Sequence, residues 1–320
     1  MNTPLNHKSI LITGIQGFVG RNLVESLRSD YRIYGLDIRR DAIEGVVAIF
    51  LWDELDQLPE VYAVIHLAGI AHDLKQKSKW DLYFKVNTGL TRIIYDWYRE
   101  HNVARFIFFS SVKAAADNAG DHELVESVVP RPIGPYGESK LAAEEYILSN
   151  PVTEAQAPVK KYYILRPAMI HGPGNKGNLN LLYKLVKTGI PWPLGLFHNQ
   201  RSFCSIDNVV FLLRQLLNGA VESGVYHLAD DERLSTNELV VLIARALGRR
   251  SNVWSVPVAL VNAVARAGTF LHLPFNDERL KKLTENYMVS NVKVKTALKV
   301  DKLPVTAQDG IFKTIKSFTK

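Results

Sequence analysis

Three glycines, Gly14, Gly17 and Gly20, follow the apolar run Ile10-Leu11-Ile12 in the segment KSILITGIQGFVG, and this spacing restricts the fold more than any other feature of the chain. Residues 10–13 have the short, doubly buried character of a parallel strand, and residues 21–28 have helical spacing through Leu23, Val24 and Leu27. The glycines therefore belong to a strand-to-helix turn. In such a turn Gly14 permits a tight bend, Gly17 lets backbone approach a pyrophosphate, and Gly20 lets helix and strand pack closely. The free amides at the helix start face the anion, with Phe18 among them.

Strand and helix signals then alternate, which implies a parallel sheet with helices on both faces. Strands are expected at 31–36, 46–50, 61–67, 106–109 and 162–166. The second ends at Asp37, placed to accept hydrogen bonds from an adenosine ribose, which favours NAD. Arg39 and Arg40 follow and would instead suit a 2′-phosphate, so NADP stays open as the alternative. The fourth leads into Ala68-Gly69, where backbone can pass close to a cofactor. His66 reads as a packed strand residue rather than a ligand. A helix over 81–100 buries Asn87 among Val86, Leu90 and Ile94, and the strand at 106–109 stops at Ser110-Ser111. Residues 150–159 read as a surface loop, and Pro167 ends the strand that follows. Residues 171–195 are punctuated by glycine and proline around a helix at 179–188, the texture of a substrate-covering region. Later helices at 207–218, 235–247 and 257–271 surround short strands at 225–228 and 252–256.

A chain of 320 residues with 47% hydrophobic content can bury a large core. Its one cysteine, Cys204, excludes an intrachain disulfide and a Cys-rich metal site, and reads as a small buried hydrophobe. No metal site is expected. Without a leader or a long apolar run, the expected location is the cytoplasm, with no membrane contact. The net charge of +7 invites a nucleic-acid reading, but ten Lys or Arg against three Asp or Glu lie between Arg279 and Lys320, an excess equal to that of the whole chain. A basic segment without interleaved aromatics reads as a solvated face, and nucleic acid is not the expected partner.

The chemistry-bearing constellation is Ser111 with Tyr136 and Lys140 in PYGESKLAAEEYI. Tyr136 and Lys140 are four apart at a helix start and share one face. An ammonium beside a phenol favours phenolate, making Tyr136 a proton carrier, and Ser111 can bond a substrate oxygen as charge moves onto it. Hydride transfer needs such a proton partner.

Together these features resemble the extended short-chain dehydrogenase/reductase family, in particular its NAD-dependent nucleotide-sugar epimerases, dehydratases and reductases, over nearly the whole chain. The resemblance implies an α/β Rossmann fold, a doubly wound parallel sheet with a smaller, mostly C-terminal substrate lobe. Residues 1–170 would bind the dinucleotide, with 205–230 returning to that domain, and 171–320 would form mainly the substrate lobe. Ser111, Tyr136 and Lys140 would be catalytic. Gly14, Gly17, Phe18, Gly20, Asp37, Arg39, Ala68, Gly69, Asn87, Tyr136, Lys140 and Pro167 would hold the cofactor. Asn178 and Arg201 would meet the sugar nucleotide, with Ser111 and Lys113 beside them. His171-Gly172-Pro173 stands where Tyr-Gly-Pro is more usual.

Two departures narrow the reading. Val112-Lys113-Ala114 replaces the epimerase pattern after Ser111 and looks like a bacterial branch acting on amino- or deoxy-sugar nucleotides. No Asp-Glu pair accompanies Ser111, which disfavours dehydration. The leading expectation is an NAD-dependent epimerase moving hydride at C4 of a nucleoside-diphosphate sugar, UDP-linked, in polysaccharide biosynthesis. A 4-ketoreductase using NAD(P)H is the alternative within the fold, and a catalytically silent NAD(P) sensor the alternative of another class. The resemblance implies a homodimer through helices near 87–100 and 140–150.

Overall fold

The computed structural model describes residues 8–71, 80–118, 120–152, 160–175 and 177–318. Strands run β1 Ser9–Thr13, β2 Arg32–Leu36, β3 Val46–Phe50, β4 Ala63–His66, β5 Arg105–Phe109, β6 Glu123–Leu124, β7 Lys161–Pro167, β8 Met169–His171, β9 Arg201–Ser205, β10 Gly224–Leu228, β11 Arg233–Leu234 and β12 Met288–Val289. Seven of them form one parallel sheet in the order β10-β7-β5-β4-β1-β2-β3. The order reverses beside β1, so the carboxyl ends of β1 and β4 part to leave a crevice there.

Both faces of the sheet are covered, which explains the continuous apolar runs in the middle of its inner strands, with polar residues such as Thr13, His66 and Arg166 toward their carboxyl ends. Helices Phe18–Leu27 and Ile206–Asn218 supply Leu23, Leu27, Leu212 and Leu216 to one face. Helices Leu90–Glu100 and Pro135–Ser149 supply Ile94, Tyr95, Tyr98 and Ile147 to the other. A third apolar cluster joins Leu179, Trp192, Leu239, Ile243, Val261 and Ile311 beyond the sheet. Two small sheets tie that lobe to the rest, β8-β9-β11 and the pair β6-β12.

The expected strand at 252–256 is absent. Val253 and Ser255 make only isolated bridges, parallel to Trp192 and antiparallel to Leu194, and Pro257, which has no amide to donate, follows at once. The helix expected over 81–100 is interrupted by a π-helical turn, Phe84–Gly89. Residues 153–159 of the expected loop lie outside the described residues. Among the described residues no helix is long and apolar enough to cross a membrane, and no group of three or more His, Cys, Asp or Glu could hold a metal ion.

Candidate active site

The glycine turn is built as a backbone cradle. Gly14 has φ +67°, and a Cβ there would stand 2.7 Å from the Ala68 nitrogen. A Cβ on Gly20 would stand 2.6 Å from the Ile15 carbonyl oxygen, so helix and strand meet at a distance only glycine allows. Helix Phe18–Leu27 starts at Gly17 with no side-chain cap and no acidic residue in its first turn. Its first amides and dipole therefore fit a diphosphate. Phe18 turns toward the 171–175 turn, where a Cβ on Gly172 would lie 3.6 Å from its ring. Asn22 fixes that approach by donating to the Pro173 carbonyl at 3.0 Å.

Asp37 ends β2 beside this turn, buried, with its two oxygens accepting from the amides of Gln16 at 2.9 Å and Ile38 at 2.7 Å. Those bonds orient the carboxylate and leave lone pairs for a ribose diol. Arg39 pairs with Asp41 at 3.5 Å, and Arg40 pairs with Glu54. The two arginines that would suit a 2′-phosphate thus have acidic neighbours already.

Across the crevice, β5 delivers Ser111, and helix Pro135–Ser149, with Pro135 in its first turn, delivers Tyr136 and Lys140. The Ser111 hydroxyl accepts from the Lys113 amide at 3.2 Å and lies close enough to the Tyr136 phenol to influence it, and the Tyr83 ring meets the Tyr136 ring edge-on at 6.4 Å between centroids. Lys140 is buried and donates to the Phe109 carbonyl at 2.9 Å, with Nζ 4.8 Å from the Phe108 ring centroid. The sequence leads to the expectation that Lys140 holds the phenol low, and the structure differs. Burial dominates and pushes the Tyr136 phenol up, opposed by the nearby Ser111 hydroxyl. Burial also lowers the Lys140 ammonium to about 8, against an upward pull from Glu144. The ammonium is committed to a carbonyl, which is why it does not govern the phenol in this state.

Asn87 lies on the π-helical turn, whose extra residue aims its side chain into the site. It accepts from the Ile70 amide at 2.7 Å and donates to Ser139 at 2.9 Å, while Ser139 donates to the Tyr136 carbonyl at 3.0 Å. A Cβ on Gly69 would lie 2.8 Å from Asn87 Oδ1 and 3.2 Å from Lys140 Nζ, so Gly69, Asn87 and Lys140 converge on one point.

Two groups were not singled out from sequence, and a third, His66, is the packed strand residue expected, with hydrogen-bond partners that the sequence did not reveal. His66, fully buried, joins Thr13 at 2.6 Å to Thr91 at 2.9 Å. Glu144 is held by the Arg166 guanidinium at 2.5 Å and by the Ser110 hydroxyl, all buried beneath Lys140. Tyr287 donates to the Ala116 carbonyl at 2.6 Å and bridges to Arg201, bringing the end of the chain onto the loop after Ser111. Only the apolar setting of Glu144 in a helix and the polar interruptions of strands carried any signal for them.

The substrate-side residues are less gathered. Lys113 contacts the Asp117 carboxylate at 3.2 Å and lies 4.7 Å from the Tyr287 ring centroid. Arg201, beside the same tyrosine, donates to the Lys282 carbonyl at 2.5 Å, and burial lowers its pKa. Pro167 ends β7, buried, opposite Leu228. Asn178 opens helix Asn178–Lys187, and its side chain lies outside the described residues.

The sequence model described as the NAD dependent epimerase/dehydratase family matches residues 10–229. A UDP-glucose 4-epimerase of Vibrio cholerae is 34% identical over 271 residues, 79% of this chain and 79% of that protein. An N-acetyl-α-D-glucosaminyl-diphospho-ditrans,octacis-undecaprenol 4-epimerase of Escherichia coli O157:H7 is 29% identical over 294 residues, 90% of this chain and 84% of that protein. Among solved structures, the enzyme WbmG of Bordetella bronchiseptica, crystallised with NAD and UDP, superposes with a TM-score of 0.74 at 17% identity, covering 100% of this chain and 96% of that one.

Proposed function

Because the chain belongs to the NAD dependent epimerase/dehydratase family and is an enzyme of the nucleotide-sugar epimerase or reductase type, we propose that it epimerises a nucleoside-diphosphate sugar at C4, using NAD. The observation that carries the reading is the placing of Tyr136 and the buried Lys140 four apart on one helix, with Ser111 close to the phenol at the carboxyl edge of the sheet. Bound NAD would accept a hydride from C4 and return it to the opposite face. Tyr136 takes the C4 hydroxyl proton as the hydride leaves and gives it back on return. Ser111 bonds the C4 oxygen, which becomes a carbonyl oxygen between the two transfers. Tyr136 must be phenolate to take that proton, and Lys140 would favour this form on exchanging the Phe109 carbonyl for the phenol, while Asn87, through Ser139, fixes the backbone on which Tyr136 stands.

The cradle around Gly14 and Gly17 fits the diphosphate of the dinucleotide, and Asp37 fits its adenosine ribose. The acidic partners of Arg39 and Arg40 favour NAD over NADP. For the substrate we propose a UDP-linked sugar, since the V. cholerae relative is named for UDP-glucose and the B. bronchiseptica structure holds UDP. Arg201 and the start of helix Asn178–Lys187 would face its diphosphate. We place the enzyme in the cytoplasm, in polysaccharide biosynthesis, as a homodimer through helices Leu90–Glu100 and Pro135–Ser149; light scattering tests the dimer.

Purified protein incubated with UDP-, GDP- and dTDP-sugars tests the function. Interconversion of C4 epimers without net NADH consumption is expected, and Tyr136→Phe should lower turnover by about 10²–10⁴-fold with NAD still bound. Stoichiometric NAD(P)H consumption on a 4-keto sugar would identify a reductase instead. Full turnover in the Tyr136→Phe protein would remove tyrosine from the acid/base role.

A further inference from the structure

A neck of hydrogen bonds closes the chain between the two elements that carry Ser111 and Tyr136. After Ser111 the backbone makes the 3₁₀ turn Val112–Ala114, leaves at Asp117, and returns at Ile133 just ahead of helix Pro135–Ser149. The Arg131 amide donates to the Ala115 carbonyl at 2.8 Å, and Arg131 bridges to Ala116. Asp117 draws the two limbs together. One of its carboxylate oxygens lies 3.2 Å from Lys113 Nζ, which also donates to the Asp117 carbonyl at 2.7 Å. The other oxygen accepts from the Ile133 amide. Lys113 stands two residues after Ser111, and Ile133 three before Tyr136.

The carboxylate is not what starts the helix or anchors the excursion between the limbs. Glu138 accepts from the Gly134 amide at 3.1 Å, and the Gly134 carbonyl accepts from the Glu138 amide at 3.1 Å, so the first turn closes on itself. Farther out, β6 pairs with β12, and Glu126 accepts from the His227 amide at 2.7 Å. What is left to Asp117 is the register of one limb against the other. That register has little slack. A Cβ on Gly137 would stand 2.6 Å from the Lys113 carbonyl oxygen and 2.8 Å from Pro132 Cβ, so the first turn of the helix rests on the Lys113 peptide. The Lys113 amide in turn donates to the Ser111 hydroxyl at 3.2 Å, which passes any shift of Lys113 directly to the serine.

We propose that Asp117 is a positioning residue for the proton transfer: by tying Lys113 to Ile133 it sets where the Ser111 hydroxyl stands relative to the Tyr136 phenol. This role presupposes the C4 epimerisation proposed above. Serine and tyrosine come from separate elements, so nothing local fixes their separation. One carboxylate shared by an ammonium and an amide makes charge-assisted bonds to both limbs. The side chains of the ion pair are partly exposed, which keeps its worth to overall stability small. Its worth to the reaction is larger, because a misplacement of about 1 Å can cost on the order of 10²-fold in rate.

Asp117→Ala in the full chain with NAD tests the role. The kcat for C4 interconversion should fall about 10–100-fold, with KM and the NAD dissociation constant within about twofold and the melting midpoint nearly unchanged. Asp117→Asn keeps an acceptor for the Ile133 amide and should recover part of the rate. Asp117→Ala combined with Ser111→Ala should be no more than about twofold slower than Ser111→Ala alone, since the residue acts through that hydroxyl. Full kcat in Asp117→Ala overturns the proposal. So do losses that multiply in the double variant, or an NAD affinity that falls in step with kcat. A second measurement needs no substrate. In protein labelled with 3-fluorotyrosine, the Tyr136 fluorine resonance, identified by its absence from Tyr136→Phe, should shift in Asp117→Ala. An unmoved resonance overturns the proposal whatever the substrate proves to be. A shifted resonance in a protein that interconverts no sugar at C4 would sink the C4 reading and leave the positioning role standing.

Discussion

The Thr13 hydroxyl lies 2.6 Å from His66 Nδ1, and this contact begins a hydrogen-bond chain in which every proton has one place. Thr91 donates to the Asn87 carbonyl at 2.6 Å, so it can only accept from His66 Nε2, at 2.9 Å. His66 is therefore the Nε2–H tautomer, and Nδ1 accepts from Thr13, which in turn accepts from the Ala68 amide at 3.2 Å. The chain links β1 and β4 to the carbonyl of the residue that supports Tyr136. His66→Leu leaves the Thr13 and Thr91 hydroxyls buried and short of a partner. It should destabilise the fold by about 2–4 kcal/mol in denaturant unfolding, whereas His66→Asn, which can replace one bond, should cost less.

Lys140→Met should stabilise the protein while removing its activity. The ammonium's pKa is lowered by burial to about 8 in the folded chain, against an ordinary value near 10.5. Between those values the unfolded chain binds a proton that the native state does not, so stability rises with pH across that window. Below it, both states are protonated and the native state carries the full cost of a buried cation. Removing the cation should yield about 1–3 kcal/mol at pH 7, after the loss of the bond to Phe109. Thermal melts at pH 7 and pH 9.5 check this: the gain should shrink at the higher pH.

Asp37→Asn replaces an acceptor with a donor opposite the Gln16 or Ile38 amide. The NAD dissociation constant should rise about 10–100-fold by calorimetry, the worth of a charge-assisted bond. Arg40→Ala should leave NAD affinity nearly unchanged, because that guanidinium faces Glu54.

Glu144→Gln breaks the buried pair with Arg166 and leaves a guanidinium without a counter-charge. A loss of about 3–5 kcal/mol is expected in urea unfolding. Because Glu144 also supports the charge on Lys140, the activity–pH profile should move to lower pH in whatever fraction folds.

His227 is fully buried, and burial, with Arg166 nearby, lowers its pKa to about 4. Above pH 6.5 neither state holds the proton. Between about 6.5 and 4 only the unfolded chain takes it up, so stability should fall by as much as about 1.4 kcal/mol per pH unit on acidification. His66, whose pKa burial also lowers, adds to the same trend. In His227→Gln the slope should be shallower.

The sheet was legible because its information is local. A parallel strand buried on both faces needs a continuous apolar run, as β1 has in Ile10-Leu11-Ile12, and the close approaches at Gly14 and Gly20 leave glycine as their mark. Tyr136 and Lys140 were readable from spacing on one helix. What escaped depends on contacts distant in the chain. The partners of His66 stand 53 and 25 positions away, and nothing near His66 distinguishes a bonded histidine from an idle one. The lowering of the phenol by Lys140 was expected from their separation alone. Burial of both groups and the Phe109 carbonyl reversed its sign.

The β6–β12 pair and the Tyr287 bond to Ala116 place the last structural pieces of the active site some 270 residues after the glycine turn that begins it. During synthesis the dinucleotide cradle, made from local strand–turn–helix contacts, can close while the loop after Ser111 still lacks Tyr287 and β12. A nascent or truncated chain ending before residue 287 would then hold a cofactor without the wall that faces the sugar. Holding dinucleotide and turning over substrate would become competent at different times, and only the second would report that the chain is whole.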